Sequence, residues 1–265
     1  MIPKIIHYCW FGDKPKPHSV LRCIESWKKH CPDFEIREWT ERDCDVAQNK
    51  YTRQAYEAKA WGFVPDYIRL WIIYHHGGIY LDTDVQIIRS ISPLLKEIAF
   101  CGFEKNSYSG AKYVNFGQGF GAEKNNPVIK AHMNIYQQLK FMNEDGSLNR
   151  TPSQHYTTRV LEKYGLNKSL NEIQRLPEIT VYPEDYFCPK DFVNGLVQVT
   201  KNTYSIHHFD ASWYDEDMQQ RKIARWKTAK QEYVLDYLLH LPNHILIGVL
   251  GKEKYAKLKK HIKGE

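Results

Sequence analysis

Residues 64–85, VPDYIRLWIIYHHGGIYLDTDV, restrict the fold more than any other stretch of this 265-residue chain. Pro65 suits the first turn of a helix, and Asp66 favours the positive end of its dipole. Gly77 and Gly78 supply the C-terminal stop. The apolar run IYLDTDVQII that follows reads as a strand. A helix delivered into a strand through two glycines is a unit of an α/β protein. The run also carries two acids, Asp82 and Asp84. On a strand, residues two apart point to the same face, which is the spacing for one hard cation.

The rest of the chain continues the alternation. KIIHYCWF (4–11) reads as a buried strand and SVLRCIESWKKHCP (19–32) as a helix with Ser19 as its cap. FEIREWT alternates as a strand does, and TRQAYEAKAWG is a helix stopped by Gly62. AFCGFE and FGQGFGAE read as strands with glycine turns. NPVIKAHMNIYQQLKFM is a helix with Pro127 near its start. TPSQHYTTRVLEKYG is another, capped by Thr151 with Pro152 in its first turn. ITVYPEDYFCP and TYSIHHF are strands. The pattern predicts a Rossmann-like, mainly parallel sheet flanked by helices, over residues 1–218. Residues 219–265 form a helical, basic extension, packed on that domain or facing a membrane.

Composition narrows the classes. A hydrophobic content of 42% supports a sizeable core, and 18 Tyr, 11 Phe and 7 Trp supply flat faces that suit sugars and bases as well as cores. The net charge of +6 suits an anionic ligand or surface and is too small to argue for nucleic acid. The six cysteines are scattered, with no close pair of the kind that holds zinc. With no apolar leader at the start, the expectation is a reduced, cytoplasmic protein. No apolar run approaches the ~20 residues of a membrane span.

Three chemistries fit the acid pair. It is a solvated strand end. Or DTDV is the nucleophile motif of a haloacid-dehalogenase-type phosphatase, with Asp82 attacking phosphorus; that enzyme needs a later acidic pair, for which DEDM (215–218) is the candidate. Or the two carboxylates hold a divalent ion against the diphosphate of a nucleotide sugar, neutralising the leaving group.

The surrounding residues favour the third. IPKIIHYCWFG (2–12), PDYIRLWIIYHHGGIYLDTDV (65–85) and YSIHHFDASW (204–213) resemble glycosyltransferase family 32, which includes yeast-type mannosyltransferases and many bacterial capsular polysaccharide transferases. They are also similar to the catalytic domain of the clostridial glucosylating toxins. The resemblance implies the GT-A nucleotide-sugar fold and a hexosyltransferase that retains anomeric configuration. It implies Mn²⁺, or Mg²⁺, as the cofactor. The donor would be UDP-galactose or UDP-glucose, with GDP-mannose also used in the family. The acceptor would be a glycan or lipid-linked oligosaccharide in bacterial surface-polysaccharide assembly.

Carried onto this chain, the resemblance implies that Trp10 stacks on the donor base, with Tyr8 and Tyr80 bordering the nucleoside. It gives Asp66 to donor-sugar hydroxyls and Arg69 to the sugar or phosphate. Asp82, Asp84 and a late histidine would hold the metal. His207 is preferred for that place and His208 remains the alternative. Ser212 and Trp213 would belong to a loop that closes over the diphosphate. Asn115 and Gln118 are candidate contacts to the transferred sugar. Thr151-Pro152 stands where relatives often carry a Gly-Pro start, which leaves the acceptor contacts open.

With Asp82 and Asp84 occupied by metal, the sequence shows no second carboxylate pair to form a glycosyl–enzyme. That favours same-face substitution over double displacement. A nucleotide-sugar-binding protein without turnover is the remaining alternative. The Lys-rich C-terminus reads as a solvated tail or as a peripheral attachment to an anionic inner membrane.

Overall fold

Alternation along the first strand decides how the sheet is covered. The computed structural model describes every residue except 13, 106–111, 212–213, 241–244, 246–249 and 264–265. β1 (Ile5–Cys9) sends Ile6 and Tyr8 to one face and His7 and Cys9 to the other. It lies between β2 (Glu35–Trp39) and β3 (Gly78–Tyr80), parallel to both. Beyond β3 come β7 (Phe120–Ala122), β5 (Ala99–Glu104), β9 (Ile179–Tyr182) and β8 (Gln174–Leu176), giving the order β2-β1-β3-β7-β5-β9-β8. Only β7 and the edge strand β8 run against the rest of this path. β6 (Tyr113–Val114) pairs with the far end of β5. β4 (Val85–Ile87) leaves the sheet and pairs antiparallel with β10 (Ser205–His207).

Helices bury apolar stripes on both faces. α2 (Lys50–Glu57), α3 (Pro65–His76), α4 (Pro127–Gln138) and α5 (Ser153–Lys163) share one core, which includes Tyr51, Ile68, Ile72, Ile129 and Leu161. α1 (His18–His30) covers the other face with Val20, Ile24 and Trp27, joined by Phe187 of α6 (Glu184–Phe187). This is the mainly parallel, helix-flanked sheet expected of a GT-A transferase. At the C-terminus stand α7 (Glu216–His240) and α8 (Lys252–Lys263). Among the described residues, no helix is long and apolar enough to cross a membrane.

Three local expectations are corrected. The run 79–88 is not one strand: it breaks after Tyr80 and resumes at Val85. The Asp82 amide donates to Gly117 O (2.9 Å), and the Val85 amide closes a turn on Asp82 O (3.1 Å). The acid pair therefore sits on a turn between strands, so alternation along a strand does not set its geometry. Secondly, α5 begins at Ser153 after Pro152, and Thr151 does not cap it. Nor does Ser19 cap α1, whose preceding residue is Pro17. β8 escaped sequence reading because QRL has no apolar alternation to show.

The glycine pair after α3 does what its position predicts. The Trp39 indole N–H donates to His7 Nδ1 (3.0 Å), so Nε2 carries the proton and donates to Gly77 O (3.0 Å). Burial, the largest influence, brings the His7 imidazole down to about 4. Gly78 has φ +100°, and a Cβ there would lie 2.9 Å from both His7 Nε2 and Ile5 O. All six cysteines are free thiols, each buried.

Candidate active site

The carboxyl ends of β1, β3 and β5 open on the same edge of the sheet, where open α/β sheets bind ligands. A cavity of about 620 Å³ lies there, lined by Trp10, Asp66, Arg69, Asp82, Asp84, Glu104 and His207 among others. Trp10 is half-buried beside it, its indole N–H held by Lys14 O (2.8 Å).

Asp66 and Arg69 stand one turn apart on α3, both buried to 4–5% exposure. Arg69 Nη2 forms an ion pair with Asp66 Oδ1, and Nη1 reaches Asp82 Oδ2 at 3.4 Å. Nε donates to Pro65 O (3.2 Å), and the guanidinium lies over the Tyr80 ring (5.4 Å to the centroid). Arg69 thus braces two carboxylates and an aromatic face from within. Removing it would strand buried charge, which is far more costly than losing a surface pair. The second Asp66 oxygen accepts from the Tyr51 hydroxyl (3.5 Å).

Asp82, Asp84 and His207 each offer a ligand atom, all within 4.8 Å of one another. His207 Nε2 lies 3.3 Å from Asp84 Oδ1. Asp84 Oδ2 accepts from the Asp210 backbone N–H (2.8 Å). Burial alone would lower the His207 imidazole, but the Asp84 carboxylate overrides it and holds the ring well above its usual range. Asp84 shows the converse: burial opposes ionisation, and His207 with the Asp210 amide pulls it well below the carboxylate range. Two carboxylate oxygens and an imidazole nitrogen are a donor set suited to a divalent ion of the Mn²⁺ or Mg²⁺ kind. Among the described residues His207 Nδ1 is buried without a hydrogen-bond partner.

His208 is turned away. Its Nε2 lies 3.0 Å from Gln86 Oε1, and it lines a separate cavity of about 420 Å³. Its neighbours carry a different construction. Four consecutive carbonyls are gripped by side chains: Lys190 Nζ donates to His208 O (2.8 Å), and Lys222 Nζ to Phe209 O (2.8 Å) and Asp210 O (3.0 Å). Gln219 Nε2 donates to Asp210 O and Ala211 O (both 2.7 Å). Within this loop Phe209 (φ +58°) and Ala211 (φ +49°) adopt the left-handed conformation, which costs a non-glycine residue roughly 1–2 kcal/mol. Ser212 and Trp213 lie outside the described residues.

Two further expectations are corrected. Gln118 does not face the cavity: it is fully buried, and its amide nitrogen donates to Gly102 O and Phe103 O (both 2.9 Å). Tyr8 points to the α1 side, packs edge-on against Trp27, and donates its hydroxyl to Glu38 Oε2 (2.6 Å). Tyr80 does line the cavity, but as the buried floor beneath Arg69. DEDM stands exposed at the start of α7, so Asp82 has no second acidic pair from that segment.

Sequence reading missed two residues. Gly117 packs so tightly that an added Cβ would fall 2.1 Å from Asp82 Oδ2 and 3.0 Å from Arg69 Nη1. The FGQGFG run offered a signal, since glycine often marks close approach. The other is Glu104, the last residue of β5, 4% exposed and in the cavity wall. The sequence showed no further carboxylate for this site; the structure supplies one. Asn115 Nδ2 donates to Glu104 Oε2 (2.7 Å), and Asn115 Oδ1 accepts from the Gly117 amide (2.7 Å). Burial raises the Glu104 carboxyl, while Asn115 and His207 oppose the rise.

Comparison with known proteins agrees with this geometry. Residues 17–101 match the family described as glycosyltransferase sugar-binding region containing DXD motif. Inositol phosphoceramide mannosyltransferase 3 of Schizosaccharomyces pombe is 32% identical over 126 residues, covering 44% of this chain and 34% of that protein. Mannosyltransferase 1 of the same yeast is 27% identical over 114 residues, covering 37% and 33%. The chain therefore matches about a third of the length of these two relatives. An uncharacterized glycosyltransferase of Acanthamoeba polyphaga mimivirus is 26% identical over 203 residues, 71% of this chain and 78% of the relative. Among solved structures, PaToxG glycosyltransferase is similar at TM-score 0.46 and 18% identity, over 61% of this chain and 69% of that one. The DXD of the matched region is Asp82-Thr83-Asp84, which lies beside Arg69 at the cavity.

Proposed function

We propose that this chain is a glycosyltransferase, and specifically a metal-dependent, retaining hexosyltransferase that moves a sugar from a nucleoside-diphosphate sugar to a glycan acceptor. The observation that carries the reading is the convergence of Asp82, Asp84 and His207 on one point at the cavity, braced by Arg69 and Asp66. A divalent ion held there would act as a Lewis acid toward the diphosphate. Asp66 presents a carboxylate for sugar hydroxyls, and Arg69 fixes both that carboxylate and Asp82. Trp10 offers its indole face to the base. The Tyr80 floor and the 207–211 loop line the cavity and would shield a bound donor from water, which limits donor hydrolysis.

UDP-galactose and UDP-glucose are the first donors to test. The yeast relatives are named as mannosyltransferases, which supports testing GDP-mannose beside them. The proposed setting is bacterial surface-polysaccharide assembly at the cytoplasmic face of the inner membrane. What supports it is the Lys-rich α8 and the exposed Tyr233, Val234 and Tyr237 of α7, a surface suited to anionic lipid. Co-sedimentation of the full chain with anionic and neutral vesicles tests this point. Equal recovery with both would remove the attachment.

The decisive experiment is Mn²⁺-dependent release of nucleoside diphosphate from a panel of UDP- and GDP-sugars, with Asp84→Asn beside the wild type. Cleavage of one donor, lost in the variant, is the expected result, and the anomeric configuration of the product by NMR then tests retention. Binding of UDP without release from any sugar would leave a binder without turnover.

A further inference from the structure

Glu104 is the carboxylate in the cavity wall that none of these roles uses. It is not one of the three clustered ligand groups. It closes no ion pair within 4.0 Å among the described residues, unlike Asp66 and Asp82. Among the described residues it accepts a hydrogen bond from Asn115 Nδ2 at Oε2. Asn115 is itself fixed, because its carbonyl oxygen is engaged by the Gly117 amide. The chain Glu104–Asn115–Gly117–Asp82 thus joins this carboxylate to the acid pair through one bond between side chains, one from a main-chain amide to a side chain and one between main chains.

An ionised carboxylate accepts hydrogen bonds and donates none. Placed in a cavity wall, Glu104 repels a phosphate and needs a neutral hydrogen-bond donor. The ligand groups of that kind are the base N–H, the ribose hydroxyls and the hydroxyls of the transferred sugar and the acceptor. An affinity for UDP that does not depend on Glu104 separates the last two from the nucleoside, and a loss of UDP affinity would overturn the assignment to them. Buried polar groups reject a ligand that leaves them unpaired, so such a residue also sets selectivity.

We propose that Glu104, held by Asn115, is a sugar-hydroxyl subsite of this active site. It rests on the transferase reading, and the hydroxyl comes from either the transferred sugar or the acceptor.

The test compares wild type with Glu104→Gln, which keeps size and shape and removes the charge. Calorimetry with Mn²⁺ gives the affinities for UDP and for the UDP-sugar that the wild type cleaves. Steady-state kinetics gives KM for the acceptor. The expected result is unchanged UDP affinity together with a loss of roughly tenfold or more, as for a hydrogen bond to a charged group. A loss in UDP-sugar affinity assigns the hydroxyl to the donor; a rise in acceptor KM assigns it to the acceptor. Asn115→Ala, which frees the carboxylate while leaving it in place, is expected to show the same ligand-selective loss. Melting temperatures of both variants close to the wild type are the control against misfolding. If neither variant changes UDP-sugar affinity or acceptor KM, Glu104 only orients the 115–117 loop and the subsite is overturned. If the wild type binds no nucleotide or nucleotide sugar at all, the transferase reading itself falls, and the subsite with it.

Discussion

The floor and the roof of the cavity are built by opposite means. The floor comes from one continuous stretch, residues 65–82, in which Asp66, Arg69, Tyr80 and Asp82 hold one another through their side chains. The roof, residues 207–211, is held by its main chain: Lys190 from before the loop, and Gln219 and Lys222 from α7 after it, reach to four carbonyls. The floor is rigid because taking one member away strands a buried charge. The roof contains two left-handed non-glycine residues and depends on outside support to keep that conformation. Damage to the floor should therefore appear in global stability, and damage to the roof in local order and ligand affinity.

The largest effect should come from the centre of the floor. Arg69→Met leaves Asp66 and part of Asp82 without a counter-charge, and urea unfolding should show a loss of about 3–5 kcal/mol. A value under ~1 kcal/mol would mean that the brace is dispensable and the comparison wrong. Gly117→Ala tests the floor without touching a charge. Its new methyl overlaps Asp82 Oδ2, and a displacement near 1 Å at reacting groups costs on the order of 10²-fold in rate. Donor cleavage should fall by about that factor.

The roof should answer differently. Lys222→Met removes the donor to Phe209 O and Asp210 O. Amide exchange across 207–211 should accelerate by the equivalent of ~1–3 kcal/mol, the cost of unsatisfied buried carbonyls. Mn²⁺–UDP affinity should weaken, while the global melting temperature moves little. A global loss matching that of Arg69→Met would erase the distinction between the two regions.

The smallest effect isolates a residue beneath the floor. His132 is fully buried, neither ring nitrogen has a hydrogen-bond partner among the described residues, and burial lowers it from 6.5 to about 3. The unfolded chain therefore takes up the proton first. This contribution is intact above pH 6.5 and is lost as pH falls from there toward 3. In His132→Leu the dependence of stability on pH across that window should be shallower by about one proton, ~1.4 kcal/mol per pH unit. Identical slopes would show that His132 is protonated in the folded chain.

The same contrast explains what the sequence disclosed. The helix from Pro65, its glycine stop and the acids beyond it were legible because side-chain spacing encodes them. So was the alternation of helices and strands, since apolar periodicity carries it. The break at Leu81 was not, because it follows from the Asp82 amide meeting the carbonyl of Gly117, and every residue has a carbonyl. For the same reason, nothing in Lys190, Lys222 or Gln219 announced that they grip the 208–211 loop. Gln118 stood as a candidate contact because it lies in the glycine-rich run beside Asn115; its amide is instead taken by the carbonyls of Gly102 and Phe103 on β5, which no side-chain pattern announces. Glu104 was hidden as the final residue of an apolar strand.

The six buried thiols make the folded chain a dark background for cysteine chemistry. Thiolate is the reactive form, and burial raises these groups: Cys23 and Cys44 to about 12, Cys9, Cys101 and Cys188 upward with them. Alkylation by a maleimide thus reports unfolding of the native sequence without any engineered label. A single cysteine placed on an exposed residue of α7 would then be the fast-reacting thiol in the folded protein, ready to carry a fluorophore for testing whether that helix meets a lipid surface.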